Sequence, residues 1–345
     1  MSCLLDTVFE AYDVAGCSVL PARSDGSKFP RSYRVPADCT DGWCVAKRAR
    51  GEVWGWKHAT HARMNRAALE REFRHAEGLC IVTGAISGNL VMFETDTPEM
   101  ADQLRAVVAE AGWGDVMARL DEGYRERTPK GGTHWLLRRA GATGRNATFA
   151  RRPKRPDEKE NEHDLVQVLV EDRAEGGQTV VAPSHGRTHP SGRPYVLEAG
   201  GFTTIPTIGD AEWDGLVAAA RSLDQMPKPK PRARPSGRQR NNGESIADDF
   251  NAQASWAEIL EPYGWTLTAQ VGENDHWGRP GRSGATSATI NSEGDGVLYV
   301  FTSSTVLEPE QAYSKFAAYA ALAHGGDMSA AARAIRHWWR RREAS

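Results

Sequence analysis

The sequence has no cysteine after Cys80. Its five cysteines, Cys3, Cys17, Cys39, Cys44 and Cys80, are odd in number and crowd into the first quarter, which argues for reduced thiols and against a disulfide framework. No apolar run is long enough to cross a bilayer, and the N-terminus carries no signal-peptide pattern, so the expected compartment is the cytoplasm. A Gly-x-x-x-x-Gly-Lys-Ser/Thr loop is also missing, which leaves no recognisable ATP-driven motor. Net charge is only −2, from 43 Lys and Arg against 45 Asp and Glu, so the whole chain does not announce a polyanion partner. Acids are absent, however, from Met226 to Gly243, a Pro, Arg and Lys stretch that reads as a flexible cationic linker. With 345 residues, 26% of them charged and 40% hydrophobic, the composition suits a globular protein of about two domains. The division follows the linker: 1–225, a linker over 226–245, and 246–345.

The most informative stretch runs from Gly78 to Met100. It reads as strands over Leu79–Val82 and Leu90–Phe93 joined by a Gly/Ser turn. Alternation beyond the second strand places Glu94 and Asp96 on one side with Thr95 opposite. Two neighbouring carboxylates repel unless a cation sits between them. A plainer reading is a solvated turn before a helix, with Thr97 as cap and Pro98 at the first helical position. The helix itself follows from Met100, Leu104, Val107 and Ala111, with Gly112 as its stop. A short helix around Val116–Asp121 then leads into a hairpin with arms Tyr124–Thr128 and Thr133–Leu137. At its tip, Gly131 and Gly132 allow close backbone approach to a ligand, flanked by Lys130 and His134. His134 and Trp135 point to opposite faces, so one of them faces the core; an ordinary packed imidazole is the plain alternative for His134.

Ten Lys or Arg and one Glu lie between Gly123 and Pro156, a cationic block whose Arg125, Arg127, Arg151 and Arg152 are candidate nucleic-acid contacts. Arg138–Glu162 reads as a loop. An apolar strand, Leu165–Val170, runs into Glu171-Asp172-Arg173 and Gly176-Gly177. A further strand, Thr179–Ala182, ends at Pro183-Ser184-His185-Gly186; residues 188–205 suggest a hairpin and 209–223 a closing helix. Upstream, the pattern predicts a helix over 4–15, a strand over Cys17–Leu20, and a helix over 66–77. Residues 37–65 show no periodicity. They carry Cys39, Cys44, His58 and His61, which must be weighed as a zinc site, but the spacing is looser than structural sites favour and reads as unliganded.

The last hundred residues predict a helix at Trp256–Leu260, strands around Trp265–Val271, Ser287–Ile290 and Leu298–Phe301, and helices over Glu308–Ala323 and Ser329–Arg342. The ending His337-Trp338-Trp339-Arg340-Arg341-Arg342 suits nucleic-acid contact, or equally a helix C-terminus with packed tryptophans. A zinc-ribbon layout is suggested by the short strands, but without cysteine this unit is expected to be zinc-free, with an aromatic core of Trp256, Trp265, Trp277 and Phe301.

Taken together, Val82-Thr83-Gly84-x-x-Ser87-Gly88, Thr128-Pro129-x-Gly131-Gly132-x-His134 and Glu171-x-Arg173-x-x-Gly176-Gly177-x-x-Val180-Val181-Ala182-Pro183-Ser184 resemble the primase–polymerase branch of the archaeo-eukaryotic primase superfamily, found in phage and plasmid replication proteins. Gly16, Val19-Leu20-Pro21 and Lys28-x-Pro30 also match, and the resemblance covers roughly residues 10 to 205. The segments Asp248-Asp249-Phe250-Asn251, Trp256 to Trp265 and Tyr313-Ser314-Lys315-Phe316 resemble the region C-terminal to such domains in actinobacterial phage replication proteins. The resemblance implies an α+β fold with an RRM-like antiparallel sheet as catalytic core and a small α/β accessory domain. It implies template-dependent DNA primase and DNA polymerase activity in a bacterial host cell, with two Mg2+ or Mn2+ ions held by Glu94, Asp96 and Glu171. His134 would contact the nucleotide phosphates, with Lys28, Lys130, Arg173, Ser184 and His185 nearby. Expected partners are single-stranded DNA template, primer, NTP or dNTP, and a replicative helicase. The first motif is Glu-x-Asp where the family has Asp-x-Asp or Asp-x-Glu, Lys130 stands where Ser is usual, and Asp172 is an alternative ligand to Glu171 after a one-residue shift. Rival readings are a non-catalytic single-strand-binding adaptor and a replication-initiator endonuclease.

Overall fold

The computed structural model describes residues 3–35, 37, 39–159, 164–227, 246–271, 274–281, 286–291, 296–302, 304–309 and 311–342. Residues 228–245 of the linker lie outside the described residues, as do the side chains of the basic-aromatic C-terminus from His337 on. The chain divides into two compact units, Met1–Arg151 with Leu169–Asp224, and Arg152–Val168 with Gln225–Ser345.

Up to Asp224 the strands are β1 (Ser18–Pro21), β2 (Tyr33–Arg34), β3 (Trp54–Gly55), β4 (Leu79–Val82), β5 (Leu90–Thr95), β6 (Tyr124–Arg127), β7 (Thr133–Arg139), β8 (Thr148–Pro153), β9 (Val166–Arg173), β10 (Gln178–Val181), β11 (Val196–Ala199) and β12 (Thr207–Ile208). The helices are α1 (Cys3–Phe9), α2 (Gly42–Ala49), α3 (Arg66–Glu72), α4 (Pro98–Glu110), α5 (Gly114–Glu122) and α6 (Asp210–Ser222). A seven-stranded sheet runs β11-β6-β7-β5-β9-β8, with β12 parallel to β7. A three-stranded antiparallel sheet runs β1-β4-β10, and β2 pairs with β3. The fold is mixed α and β, built on antiparallel sheets.

Alternation along β5 decides where the site forms. Val91 and Phe93 pack with α4, α5 and α6, whereas Leu90 and Met92 pack with α1, α3 and the small sheet. With both faces covered, the strand is apolar until Glu94, which continues the Met92 side just where the chain emerges. The next residues turn immediately into α4. Thr97 caps it, accepting from the Met100 N–H at 3.2 Å, and Pro98 opens it. The cap reading of Thr97 and Pro98 and the acidic-site reading are therefore compatible.

Several expected elements differ. Residues 138–162 contain β8, an edge strand whose Arg-rich composition hid its alternation. Residues 188–205 are no hairpin, because β11 pairs with β6 instead of with a neighbour in sequence. Residues 37–65 contain α2, started by Asp41, whose carboxylate accepts from the Trp43 and Cys44 N–H groups.

In the second unit β13 (Thr266–Val271), β14 (Asn274–Gly278), β15 (Ala288–Asn291), β16 (Leu298–Val300) and β17 (Gln311–Tyr313) form an antiparallel meander. It is accompanied by α7 (Ile246–Gln253), α8 (Trp256–Leu260), α9 (Lys315–His324) and α10 (Met328–Arg342). Trp256, Trp265 and Trp277 enter the core, but Phe301 is 49% exposed and does not. The helix expected from Glu308 begins at Lys315, since residues 311–313 pair with β16 and Ser314 caps the helix. No helix among the described residues is long and apolar enough to cross a membrane.

Candidate active site

Four neighbouring strands set one row of side chains across the large sheet. Glu126 on β6 is opposite His134 on β7, His134 is opposite Glu94 on β5, and Glu94 is opposite Glu171 on β9. Residues directly opposite in register share a face, so two glutamates and a further carboxylate–imidazole pair stand side by side. His134 is 4% exposed. Its Nδ1 is 2.7 Å from Glu126 Oε1 and its Nε2 is 3.3 Å from Glu94 Oε1. Glu126 has no exposed surface and also accepts from the Tyr124 hydroxyl at 2.8 Å and the Ala182 N–H at 2.6 Å. Glu171 is paired with the guanidinium of Arg173, two residues on and therefore on the same face.

These contacts decide the charges. Burial opposes ionisation of Glu94, but the His134 imidazolium, Arg173 and Lys28 overcome it and hold its carboxyl at about 2. Burial likewise opposes charge on His134, and Glu94 and Glu126 outweigh it, raising the imidazole to about 9. Asp96 is pushed up to about 7, first by burial and then by Glu94 and Glu171. Glu171 is raised by burial despite Arg173. Two of the acidic trio, Asp96 and Glu171, thus resist ionisation, first because they are buried and then because Glu94 beside them is already charged.

Among the described residues no three His, Cys, Asp or Glu side chains already converge as a metal cage. Glu94 is turned to His134 and Glu171 to Arg173. The donor set nonetheless suits a hard divalent cation, because three carboxylates share one partly enclosed face and raise the pKa of Asp96. Magnesium or manganese bound there would relieve that repulsion.

The remaining candidates separate clearly. Lys28 and Lys130 are exposed at the rim, and both cations act on Asp96. Gly132 does not leave room for a ligand. A Cβ there would strike the Thr95 carbonyl and lie 2.8 Å from the Asp96 carbonyl carbon, so this glycine lets the hairpin press against the acidic strand end. Ser184, expected near the nucleotide phosphates, is engaged in packing. It is fully buried, and its hydroxyl accepts from the Leu79 N–H at 2.9 Å and donates to the Leu79 carbonyl at 3.3 Å. His185 is exposed, and its backbone N–H donates to Glu77. The buried imidazole of that segment is His189, 3% exposed, with Tyr195 between it and His134 at ring separations of 6.2 and 5.8 Å. Burial and the cations Lys28, Lys130 and Arg193 push His189 down to about 4, so it stays neutral. Asp172 is the opposite-face neighbour of Glu171. It is 2% exposed, accepts from the Ala147 N–H at 2.6 Å, and is not part of the acidic row.

The cationic block is largely engaged within the protein. Arg127 and Arg125 pair with Glu198 at 2.9 and 3.9 Å, and Arg152 holds Glu158 in a bidentate pair at 2.6 and 2.7 Å. Arg151 is 9% exposed. Arg138 donates to the Ser87, Gly88 and Ala15 carbonyls, and Arg139 pairs with Asp210.

Glu126 and His189 were the residues that sequence reasoning missed. Glu126 was legible in principle: a hairpin in which Thr128 bonds Gly132 places position 126 opposite 134. Nothing local distinguishes His189 from His185.

A family model described as bifunctional DNA primase/polymerase, N-terminal (Prim-Pol), matches residues 10–210. The chain belongs to the Prim-Pol family. The matched span contains the acidic row, His134, the rim lysines and His189, and ends at the start of α6. No curated protein matches the chain in sequence. Prim-Pol proteins form a DNA primase/polymerase nucleotidyltransferase family, so DNA and nucleotides are the substrate classes that membership brings.

Proposed function

We propose that this Prim-Pol protein is a template-dependent primase and polymerase of phage or plasmid replication, with residues 1–225 as an RRM-like catalytic domain and 246–345 as a zinc-free accessory domain. The observation that carries the reading is the cross-strand row Glu126–His134–Glu94–Glu171 with Asp96 at its open end. Glu94, Asp96 and Glu171 would hold Mg2+ or Mn2+, which supplies charge neutralisation between an attacking 3′-oxygen and a triphosphate.

This chain's own residues divide the remaining work. Glu126 fixes Nδ1 of His134 and keeps the ring cationic, so Nε2 is the edge available to a phosphate oxygen. The Nε2–Glu94 contact of 3.3 Å is longer than the Nδ1–Glu126 contact of 2.7 Å, so Glu94 is the partner more readily exchanged. Lys28, Lys130 and Arg173 place further positive charge at the same mouth, which suits the charge that develops on leaving pyrophosphate. Neutral His189 and Tyr195 form the wall behind His134. Arg127, exposed at the end of β6, is the first of the four arginines placed to meet template by giving up Glu198; Arg125, Arg151 and Arg152 would follow by exchanging internal partners.

The deciding experiment is incorporation of labelled nucleotide on single-stranded and on primed template, with magnesium or manganese. Incorporation that depends on Glu94, Asp96 and Glu171 supports the reading. Tight single-strand binding without incorporation under any of these conditions would make the chain an adaptor.

A further inference from the structure

The segment from Tyr33 to Asn65 is built on the two-residue strands β2 and β3 and on α2, with few buried apolar side chains: Tyr33, Val35, Cys44, Ala59 and Met64. Such a short segment usually needs a staple besides its core. Four metal-binding side chains, distant in sequence, meet here around one cavity: Cys39, Cys44, His58 and His61.

Their placement is specific. Cys44 lies in the first turn of α2, where its N–H donates to the capping Asp41 at 3.1 Å. Its sulfur stands 3.4 Å from Nδ1 of His58. With Zn–S near 2.3 Å and Zn–N near 2.0–2.1 Å, neighbouring S and N ligands of a tetrahedral zinc stand about 3.5 Å apart. The observed separation is therefore already that of one edge of such a site. His58 is 3% exposed, so its ring is held in place by the packing around it. Cys39 is close enough to the Cys44 thiol to act on it electrostatically, and its carbonyl is tied to α2 by Arg48 Nη2 at 2.6 Å. His61 lies one turn after His58, its N–H donating to the His58 carbonyl at 3.1 Å. Its Nδ1 is 3.7 Å from Asp41 Oδ1, so a carboxylate stands behind this imidazole.

We propose that Cys39, Cys44, His58 and His61 form a structural zinc site that staples the 33–65 segment. Cys44 and His58 already stand at the separation of one edge, and Cys39 and His61, which line the same cavity, close the site by side-chain rotation. His61 stacks on Trp43 at 4.4 Å and 6°, and turning it off that ring toward Cys44 completes two sulfur and two nitrogen ligands. Binding releases the two thiol protons to solvent and leaves a site of zero net charge. The spacing of four residues between the cysteines and two between the histidines is unusual because α2 and the β3 turn, not a tight knuckle, bring the two pairs together.

The test is cobalt titration of the full chain, purified with chelator and a reductant. One equivalent of Co2+ is expected to give tetrahedral d–d bands and a thiolate charge-transfer band, both lost on adding one equivalent of Zn2+. Cys44→Ser and His58→Gln should abolish the bands, and Cys39→Ser and His61→Gln should weaken cobalt binding at least tenfold. In case a variant fails to fold, alkylation of the wild-type chain is read by mass spectrometry. One equivalent of Zn2+ should protect Cys39 at least tenfold. A missing thiolate band at one equivalent, a band undiminished in Cys39→Ser and Cys44→Ser, or equal labelling of Cys39 with and without Zn2+ would each overturn the proposal.

Discussion

Glu126 Oε1 lies 2.7 Å from Nδ1 of His134, and neither side chain is more than 5% exposed. The pair sets the charge state of the site from one strand away, since Glu126 lies on the far side of His134 from Glu94 and Glu171. Removing one partner of a buried pair strands the other, at about 3–5 kcal/mol. Glu126→Ala also leaves the Tyr124 hydroxyl and the Ala182 N–H without their acceptor, and is expected to lower stability by at least that amount. Glu126→Gln keeps an acceptor and should fold, but the His134 pKa, read by NMR, should fall and nucleotide KM rise. An unchanged His134 pKa in Glu126→Gln would refute this arrangement.

His134 carries a pH signature. Its folded pKa, about 9, lies above the ordinary histidine value. Its contribution to stability is thus fully present below about pH 6.5 and is lost as pH rises through about 9. His134→Ala should flatten that part of the stability–pH curve and weaken nucleotide binding while sparing template binding. A wild-type curve without a decline between pH 7 and 9 would contradict the pairing.

The three carboxylates should behave alike in catalysis and differently in stability. Alanine at Glu94, Asp96 or Glu171 is expected to reduce incorporation by orders of magnitude. Sequence reasoning from like-charge repulsion would make all three substitutions neutral or stabilising without metal. The structure supports this for Asp96, whose carboxyl is pushed up to about 7 by burial and then by Glu94 and Glu171, whereas Glu94 is held by His134 and Glu171 by Arg173. Asp96→Asn should therefore raise the melting temperature of the chelated protein at pH 8, whereas Glu94→Ala should lower it. Calorimetry with chelator separates the two, and a destabilised Asp96→Asn would count against the crowding of charge.

Asp172→Asn is the control. Burial, then Glu171, pushes this carboxyl up to about 7. A raised acid pKa means the unfolded chain holds fewer protons between about pH 4 and 7, so stability falls as pH rises through that window. Replacing the acid by Asn, which can still accept from Ala147, should recover on the order of 1–3 kcal/mol at pH 8 and leave incorporation intact. Loss of incorporation here with activity retained in Glu171→Ala would place the ligand on the other residue.

Single-strand binding should be less salt-sensitive than ten cations suggest. With about −0.7 in log–log slope per phosphate neutralised, a block of ten would give about −7. Arg125, Arg127, Arg139, Arg152, Lys154 and Arg155 already have carboxylate partners, which leaves four of the ten and an expected slope of about −3. A slope near −7 would mean that those internal pairs open on binding.

Alternation and turn chemistry are local, and the features they encode were legible in the order of residues alone. The acidic pair at the end of an apolar strand, the Gly-Gly hairpin, His134 turned away from Trp135 and the cap of α4 all depend on neighbours within a few residues, and family membership rests on those motifs in order. Pairing between distant strands is not local, and it settled the rest. Glu126 became the partner of His134 because β6 and β7 share a register. Ser184 became a packing residue because its hydroxyl met Leu79, 105 positions away. The charges of the basic block found acids such as Glu198 and Asp210, which a local count of residues cannot include. Cys39, Cys44, His58 and His61 likewise look scattered until α2 and the β2–β3 pairing fold them onto one cavity. Local periodicity records which face a side chain takes; which partner it meets there is set by long-range contacts, and those set its charge and its role.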